Sequence, residues 1–551
     1  MKIRLLLLCA AAAACQSAPE RLPEYAGFDG YARTISTDSA LAQRYFDQGI
    51  QLLYGFNHDE AIRSFQAATE ADPSCAMAWW GIAYANGRDI NDPDVPEEDA
   101  RAAFEAAEEA QRHLADVTPA EAALVRAIGA RYAWPSPEDR TPLDQAYADA
   151  MEVAYREHPG DTDIGTLFAD ALMNLQAWNY WTVDGEPRER ALEIVTALEH
   201  VLALDPQHPG ANHLYIHAVE ASKDPDRAVA AADRLRSLVP GAGHLVHMPS
   251  HIYARVGRYS DAADANAEAI AADKAYFAVA PPPDFYSLYF VHNVHFLAYA
   301  SMMEGRREAA MAAADELERS VPREFLEGYA FLADGLMTTP LHVMIRFGEW
   351  ERILEQPEPE AFRKLSIAMR HYARSVAFSA LGRTEEARTE LASFDAAASE
   401  VPEEWTVGFN TSGEVLALAR QMILGELLYR EGKHDEAFAA LREGCALEDA
   451  LLYDEPPGWM QPIRHALGAL LLGAGRAAEA EAVYREDLVR NRDNGWSLLG
   501  LALALEAQGK PAESAPVRQA LAKAFHRADV AVSSSCFCEP GGDPWTTSFA
   551  R

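Results

Sequence analysis

A glycine recurs along this chain at one fixed place, five residues ahead of a small or apolar residue that opens a helix. Gly257/Ala262, Gly305/Ala310, Gly348/Ile353, Gly382/Ala387, Gly432/Ala437, Gly475/Ala480 and Gly509/Ser514 share the spacing. The fullest copy reads Tyr45, Gly49, Ala61, Phe65, Ala68 and Pro73. Small residues stand where two helices approach closely, and a proline stands where the second one stops. Counting from these marks puts unit starts at residues 42, 209, 243, 291, 334, 368, 418, 461 and 495. The step is 34 residues from 209 to 243, from 334 to 368 and from 461 to 495. A repeat of this length is a helix hairpin that cannot bury its apolar stripe alone, so neighbouring copies must stack into a continuous core.

Aromatic, Gly, Ala, Phe, Ala and Pro at these offsets resemble the tetratricopeptide repeat (TPR). The resemblance implies an all-α fold, a right-handed α-solenoid of stacked TPR-like helix hairpins. The chain then divides into a signal segment (1–14), a linker (15–41), an N-terminal TPR-like region with insertions (42–208), central His-rich units (209–367), C-terminal units (368–528) and a tail (529–551). The insertions include the acidic loop Asp89 to Asp99, Pro281-Pro282-Pro283 and Glu455 to Gly458.

In TPR proteins the first helix of each unit lines a concave groove, and by that resemblance positions 2, 5, 9 and 12 face inward. Nine units offer 36 such positions, and nine of them hold histidine. With 17 His in 551 residues, about one would be expected. They are His213 and His217; His244, His247 and His251; His292 and His295; His342; and His465. Glu220 completes an HxxxHxxE face with the first pair. Two imidazoles and a carboxylate form a metal-ligand set that leaves coordination positions open, and imidazole suits Zn, Fe or Cu without choosing among them. Packed helices lie about 8–10 Å apart, so side chains of adjacent first helices can converge on one ion. The expected divalent transition-metal site therefore comprises His213, His217, Glu220, His244, His247, His251, His292 and His295. A single histidine pair one turn apart is more often structural, and groove histidines also hydrogen-bond ligands without metal. The clustering over three consecutive units is what favours the ion.

The same groove is expected to receive a peptide, protein or small-molecule ligand, with His342, Tyr253, Glu455 and the two arginines at repeat position 13, Arg255 and Arg346, beside it. A bidentate clamp on a ligand carboxylate is one use of those arginines, and a salt bridge to a neighbouring repeat is the other. Trp459 reads as a packing anchor, and Trp178, Tyr180 and Trp181 as core or groove floor.

Lys plus Arg is 48 against 84 Asp plus Glu, a net charge of −36, which excludes general affinity for nucleic acid. Lys2 and Arg4 precede the apolar run Leu5 to Ala14, too short to span a bilayer and fitted to a secretory signal. Ala12-Ala13-Ala14-Cys15 resembles a bacterial lipobox, which implies lipidation at Cys15. By resemblance to known lipoproteins, Gln16 after the cysteine implies an outer-membrane lipoprotein facing the periplasm. Membrane contact is then expected only through the lipid. Six cysteines make no disulfide scaffold. Cys536 and Cys538 are expected as a disulfide or free thiols, with Cys75 or Cys445 as possible bridging partners. Phosphate-loop and nucleophile-elbow motifs are missing.

The segments Tyr54 to Ala61, Ala76 to Ile82, Gly243 to Tyr253 and Tyr453 to Trp459 resemble a group of bacterial TPR lipoproteins. That resemblance implies the fold and supplies no reaction. Two function classes stand: an envelope-anchored binding or scaffold protein with a His-rich metal site, or a metal-dependent enzyme, hydrolytic or oxygen-using, with its active site in the groove.

Overall fold

A computed structural model of the chain describes residues 22–280 and 285–537. The signal segment with Cys15, the Pro281-Pro282-Pro283 insertion and Cys538 lie outside the described residues. The fold is all-α: among the described residues the strands are two dipeptides, Thr406–Val407 and Asn410–Thr411, paired antiparallel. Consecutive helices pack on one another as stacked TPR-like hairpins. No described helix is long and apolar enough to cross a membrane.

The repeat register is written in the backbone. All seven marker glycines, from Gly257 to Gly509, adopt φ between +68° and +79°. This left-handed conformation ends a helix, and only glycine takes it without a steric penalty. Each is followed within two residues by the next helix, as Gly382 is by Thr384–Ala398 and Gly475 by Ala477–Arg490.

The described residues form two compact units, 22–252 with 267–290 and 253–266 with 291–537. The first opens with the hairpin Ala40–Tyr54 and His58–Ala71, capped by Ser39 and Asn57, whose side chains accept from Ala42 N and Glu60 N. Further helices follow, and Pro209–Val219 and Gly243–His247 carry the histidines. The expected helix from residue 243 is broken at Met248. Pro249 has no N–H to continue the ladder, and a new helix, Pro249–Arg255, begins there.

In the second unit the last repeat closes on the first. Trp496 Nε1 donates to the Met302 carbonyl at 2.9 Å. The Asp529 carboxylate accepts from Arg307 N (2.6 Å) and Glu308 N (3.0 Å), capping the helix Arg307–Ser320 from 222 residues away. The unit expected at 334 is broken into a 3₁₀ turn, Leu336–Thr338, and a helix, Thr339–Arg346, with Pro340 in its first turn.

Candidate metal centre

His208 begins the local order. Its Nδ1 accepts from Ala211 N at 3.1 Å and caps the helix that Pro209 opens, while its Nε2 meets Asp163 at 3.2 Å. His213 and His217 then stand one turn apart on that helix, and Glu220 is its C-terminal cap. His244 and His247 come from Gly243–His247, and His251 from the helix after the Pro249 break. Gly243 is required here, because a Cβ would lie 2.0 Å from the Asp273 carboxylate. His213 and His247 are fully buried, and His217, Glu220, His244 and His251 are at most 4% exposed. The inward positions were expected to line an open groove; at these residues they are buried instead.

The hydrogen bonds fix which ring nitrogens carry lone pairs. His213 Nδ1 lies 2.7 Å from the Tyr54 carbonyl, which can only accept, so Nδ1 is protonated and Nε2 carries the lone pair. His217 Nδ1 and His251 Nδ1 donate to the two oxygens of one carboxylate, Glu220, at 2.8 and 2.5 Å. In the neutral rings their Nε2 atoms then carry the lone pairs. His213 Nε2 lies 3.2 Å from His244 Nε2, and His251 Nε2 lies 2.8 Å from His247 Nε2. His217 Nε2 is buried with no hydrogen-bond partner among the described residues. One ligand atom from each of His213, His217 and His244 falls within 4.8 Å of the others.

Burial holds the His213 imidazole well below the usual range, with the neighbouring His217 adding to it. It lowers His217 too, against the pull of Glu220. Burial pushes the Glu220 carboxyl up, but the facing His251 and His217 outweigh it and hold it down to about 2. Burial thus disfavours the charged form of His213 and His217, while their neighbour Glu220 is held ionised; a metal requires neutral imidazole ligands.

Of the residues that enclose the histidines, the sequence points to Trp178 alone, as core or groove floor. Phe56 lies in the first hairpin's turn with φ +57°, and its ring centroid is 4.6 Å from that of His213. Trp178, with φ +61°, meets His217 edge to face at 5.0 Å. Tyr289 is 4.3 Å from His244. The acidic insertion ties these walls together. Asn91 accepts from Trp178 Nε1 at 3.2 Å and donates to the Tyr289 hydroxyl at 3.0 Å. A cavity of about 20 Å³ lies against His213, walled in part by Tyr84, Asp89 and Asp170. Burial raises the Asp170 carboxyl to about 6, although Tyr84 donates to it.

The remaining expected residues belong to the second unit. His292 and His295 are partly buried on the helix Ser287–Met303, and burial lowers His295 to about 4. His342 is buried against Trp459, ring centroids 4.9 Å apart, and is lowered to about 3 by burial and then by His295. Trp459 is thus the packing anchor it was expected to be. Arg346 is held by the His465 ring (3.2 Å) and the Ser535 carbonyl (3.3 Å) and lies over Trp496 at 4.2 Å, so neither a salt bridge nor an open carboxylate clamp describes it. Tyr253 packs under the Arg258 guanidinium at 4.1 Å. Arg255 lies over Tyr453 at 5.2 Å and lines, with Glu455, Glu448 and Trp459, a cavity of about 150 Å³. Tyr453 donates to Glu455 at 2.5 Å. Cys536 is disulfide-bonded, whereas Cys75 and Cys445 are free thiols, so neither is its partner.

No protein-family model matches the chain, and no curated protein matches it. Among solved structures it is similar to human IFIT1, seen as a dimer with m7Gppp-AAAA, at 11% identity and a TM-score of 0.32 over 90% of this chain and 91% of that one. It is also similar to the APC/C hetero-tetramer Cut9-Hcn1, at 13% identity and a TM-score of 0.28 over 90% of this chain and 77% of that one.

Proposed function

We infer that this chain is an envelope-anchored TPR-type scaffold whose first unit holds a divalent transition-metal ion on His213, His217 and His244. One observation carries the reading: three buried imidazoles offer ligand atoms within 4.8 Å of one another, and one of them, His217 Nε2, has no hydrogen-bond partner among the described residues. A buried acceptor left unsatisfied costs about 1–3 kcal/mol, and an ion removes that cost. Imidazole nitrogens on one ion, with bonds of about 2.0–2.1 Å at tetrahedral angles, lie about 3.3 Å apart. The 3.2 Å between His213 and His244 suits that spacing. The Tyr54 carbonyl and Glu220 act as the outer groups that orient the rings. Imidazole donors suit Zn, Fe or Cu. The net charge of −36 draws cations toward the chain and repels nucleic acid.

Burial on all sides favours a closed ion, serving the scaffold or stored in it, and the chain's partner is then a peptide, protein or small molecule bound elsewhere on the repeats. The anchor is the lipid on Cys15, which places the scaffold at the outer membrane facing the periplasm. A second reading, a metal-dependent enzyme, draws on the cavity beside His213. Its volume of about 20 Å³ suits one water, and in this reading Asp170, on its wall, would serve as the base.

Elemental analysis of the full chain, grown with added Zn, Fe and Cu, tests the ion. The reading requires stoichiometric metal that His213→Ala/His217→Ala loses while helix content is retained. Metal-free wild-type protein overturns it. Azide added to the cobalt-loaded chain separates the readings: an unchanged visible spectrum supports the closed ion, and a shifted one the enzyme. Loss of palmitate labelling in Cys15→Ala is expected of the anchor.

A further inference from the structure

The five histidines present two places where ring nitrogens converge. At the first, Nε2 of His213 and His244 are 3.2 Å apart, with His217 beside them. At the second, Nε2 of His247 and His251 are 2.8 Å apart. A single carboxylate serves both. Glu220 Oε1 takes the Nδ1 proton of His217, and Oε2 takes that of His251. Each ring is thereby turned so that its lone pair faces a different convergence point. His247 has the matching arrangement, its Nδ1 being 3.4 Å from the Ser250 hydroxyl.

The lone pairs decide what each point can hold. In the neutral His251 ring Nε2 carries the lone pair, because Nδ1 donates to a carboxylate. His247 Nε2 faces it either as N–H, making one hydrogen bond, or as a second lone pair, in which case a cation must lie between or beside them. In the second state the His247 proton moves to Nδ1, where the Ser250 hydroxyl is in place to accept it. Both rings then have an orienting partner, as metal-bound histidines regularly do.

We propose that this cluster takes two transition-metal ions, the second on Nε2 of His247 and His251, with Glu220 joining the two positions through its separate oxygens. The proposal rests on the reading of an ion at His213, His217 and His244, and adds a distinct site to it. Imidazole donors suit Cu(II) before Zn(II) in affinity. Because one carboxylate orients a ligand of each ion, loading one position fixes the ring that serves the other, so the two ions bind cooperatively.

Copper and zinc titrations of the full chain, followed by elemental analysis after desalting, test this. Two equivalents per chain are expected, with one retained by His247→Ala and one by His213→Ala. A single equivalent that His247→Ala leaves unchanged overturns the second position while the first survives. No metal in the wild type removes both. Electron paramagnetic resonance of the copper-loaded wild type needs no variant: dipolar-broadened or half-field signals are expected from two nearby ions, and an isolated Cu(II) spectrum of one spin per chain overturns the proposal. Glu220→Gln is expected to weaken both positions together, and loss confined to one position contradicts the shared carboxylate.

Discussion

The ring of Phe56 lies parallel to the imidazole of His217, the planes 8° apart and the centroids 6.2 Å apart, and it gets there from a left-handed backbone. Phe56 occupies the turn position that glycine fills in the seven marker repeats. A left-handed conformation costs a residue with a Cβ about 1–2 kcal/mol. Trp178, which meets the His217 ring edge to face, has the same unusual φ. Strain of this kind is kept where the side chain it positions has a use, and here both strained aromatics wall the candidate ion.

Phe56→Gly and Phe56→Ala separate the ring from the strain. Both remove a buried aromatic, a loss of about 3–5 kcal/mol. Only glycine relieves the backbone. Phe56→Gly is therefore expected to be the more stable of the two by about 1 kcal/mol, measured by chemical denaturation. Equal stabilities would show that the turn carries no strain. Both variants should hold metal more weakly, because the wall over His213 and His217 is gone.

The marker glycines are expected to behave in the opposite way. At Gly475, φ is +75° and an added Cβ meets nothing within 4 Å. Gly475→Ala should lower stability by about 1–2 kcal/mol through the backbone alone, leaving metal content unchanged. At Gly243 the cause is different: the Cβ would strike the Asp273 carboxylate at the start of the histidine helix. Gly243→Ala should therefore also disturb loading, and a Gly243→Ala chain with full metal would show that Asp273 moves aside freely.

The repeat was legible because the left-handed turn admits few residues other than glycine, so Gly257 to Gly509 mark it without any alignment. The histidine rows followed from the register, and His213, His217, Glu220, His244, His247 and His251 do meet. Apart from Trp178, read as core or groove floor, what surrounds them was not legible. Phe56 holds a glycine's position, and Asn91, which ties Trp178 to Tyr289, sits in a loop read only as acidic. Such contacts span about 90 to 200 residues of sequence and follow no period. The open groove expected at Arg346 failed for a related reason. The segment ending at Phe537 returns to the repeats, and Ser535 takes the place a ligand would have had, accepting from Arg346 and donating to the His465 carbonyl.

That return is held at Asp529. Its carboxylate caps the first turn of Arg307–Ser320 through two backbone N–H groups. Asp529→Ala should cost about 1 kcal/mol. Faster amide exchange is expected at Arg307 and Glu308, with exchange in Thr384–Ala398 unaffected. Unchanged protection at both amides would remove the cap from the account of how the second unit closes.

Glu448 gives the second unit a pH dependence of definite sign. Burial raises its carboxyl to about 8, and the nearby Asp487 adds to this, while Ile463 N–H, at 3.1 Å, and Arg464 oppose it. Asp449 lies on the same helix and raises it further. Unfolded, the group titrates near 4.5. Between those values the folded chain holds a proton that the unfolded chain has lost, so stability falls as pH rises. The fall begins above the unfolded value and levels off once pH passes about 8. Glu448→Gln removes the titration while keeping an acceptor for Ile463 N–H. Thermal unfolding from pH 5 to 9 should show a midpoint that declines in the wild type more steeply than in Glu448→Gln, the gap widening toward pH 8 and then holding constant. Parallel curves would mean that Glu448 titrates alike in the folded and unfolded chains, and that the cavity it shares with Arg255 and Glu455 admits water freely.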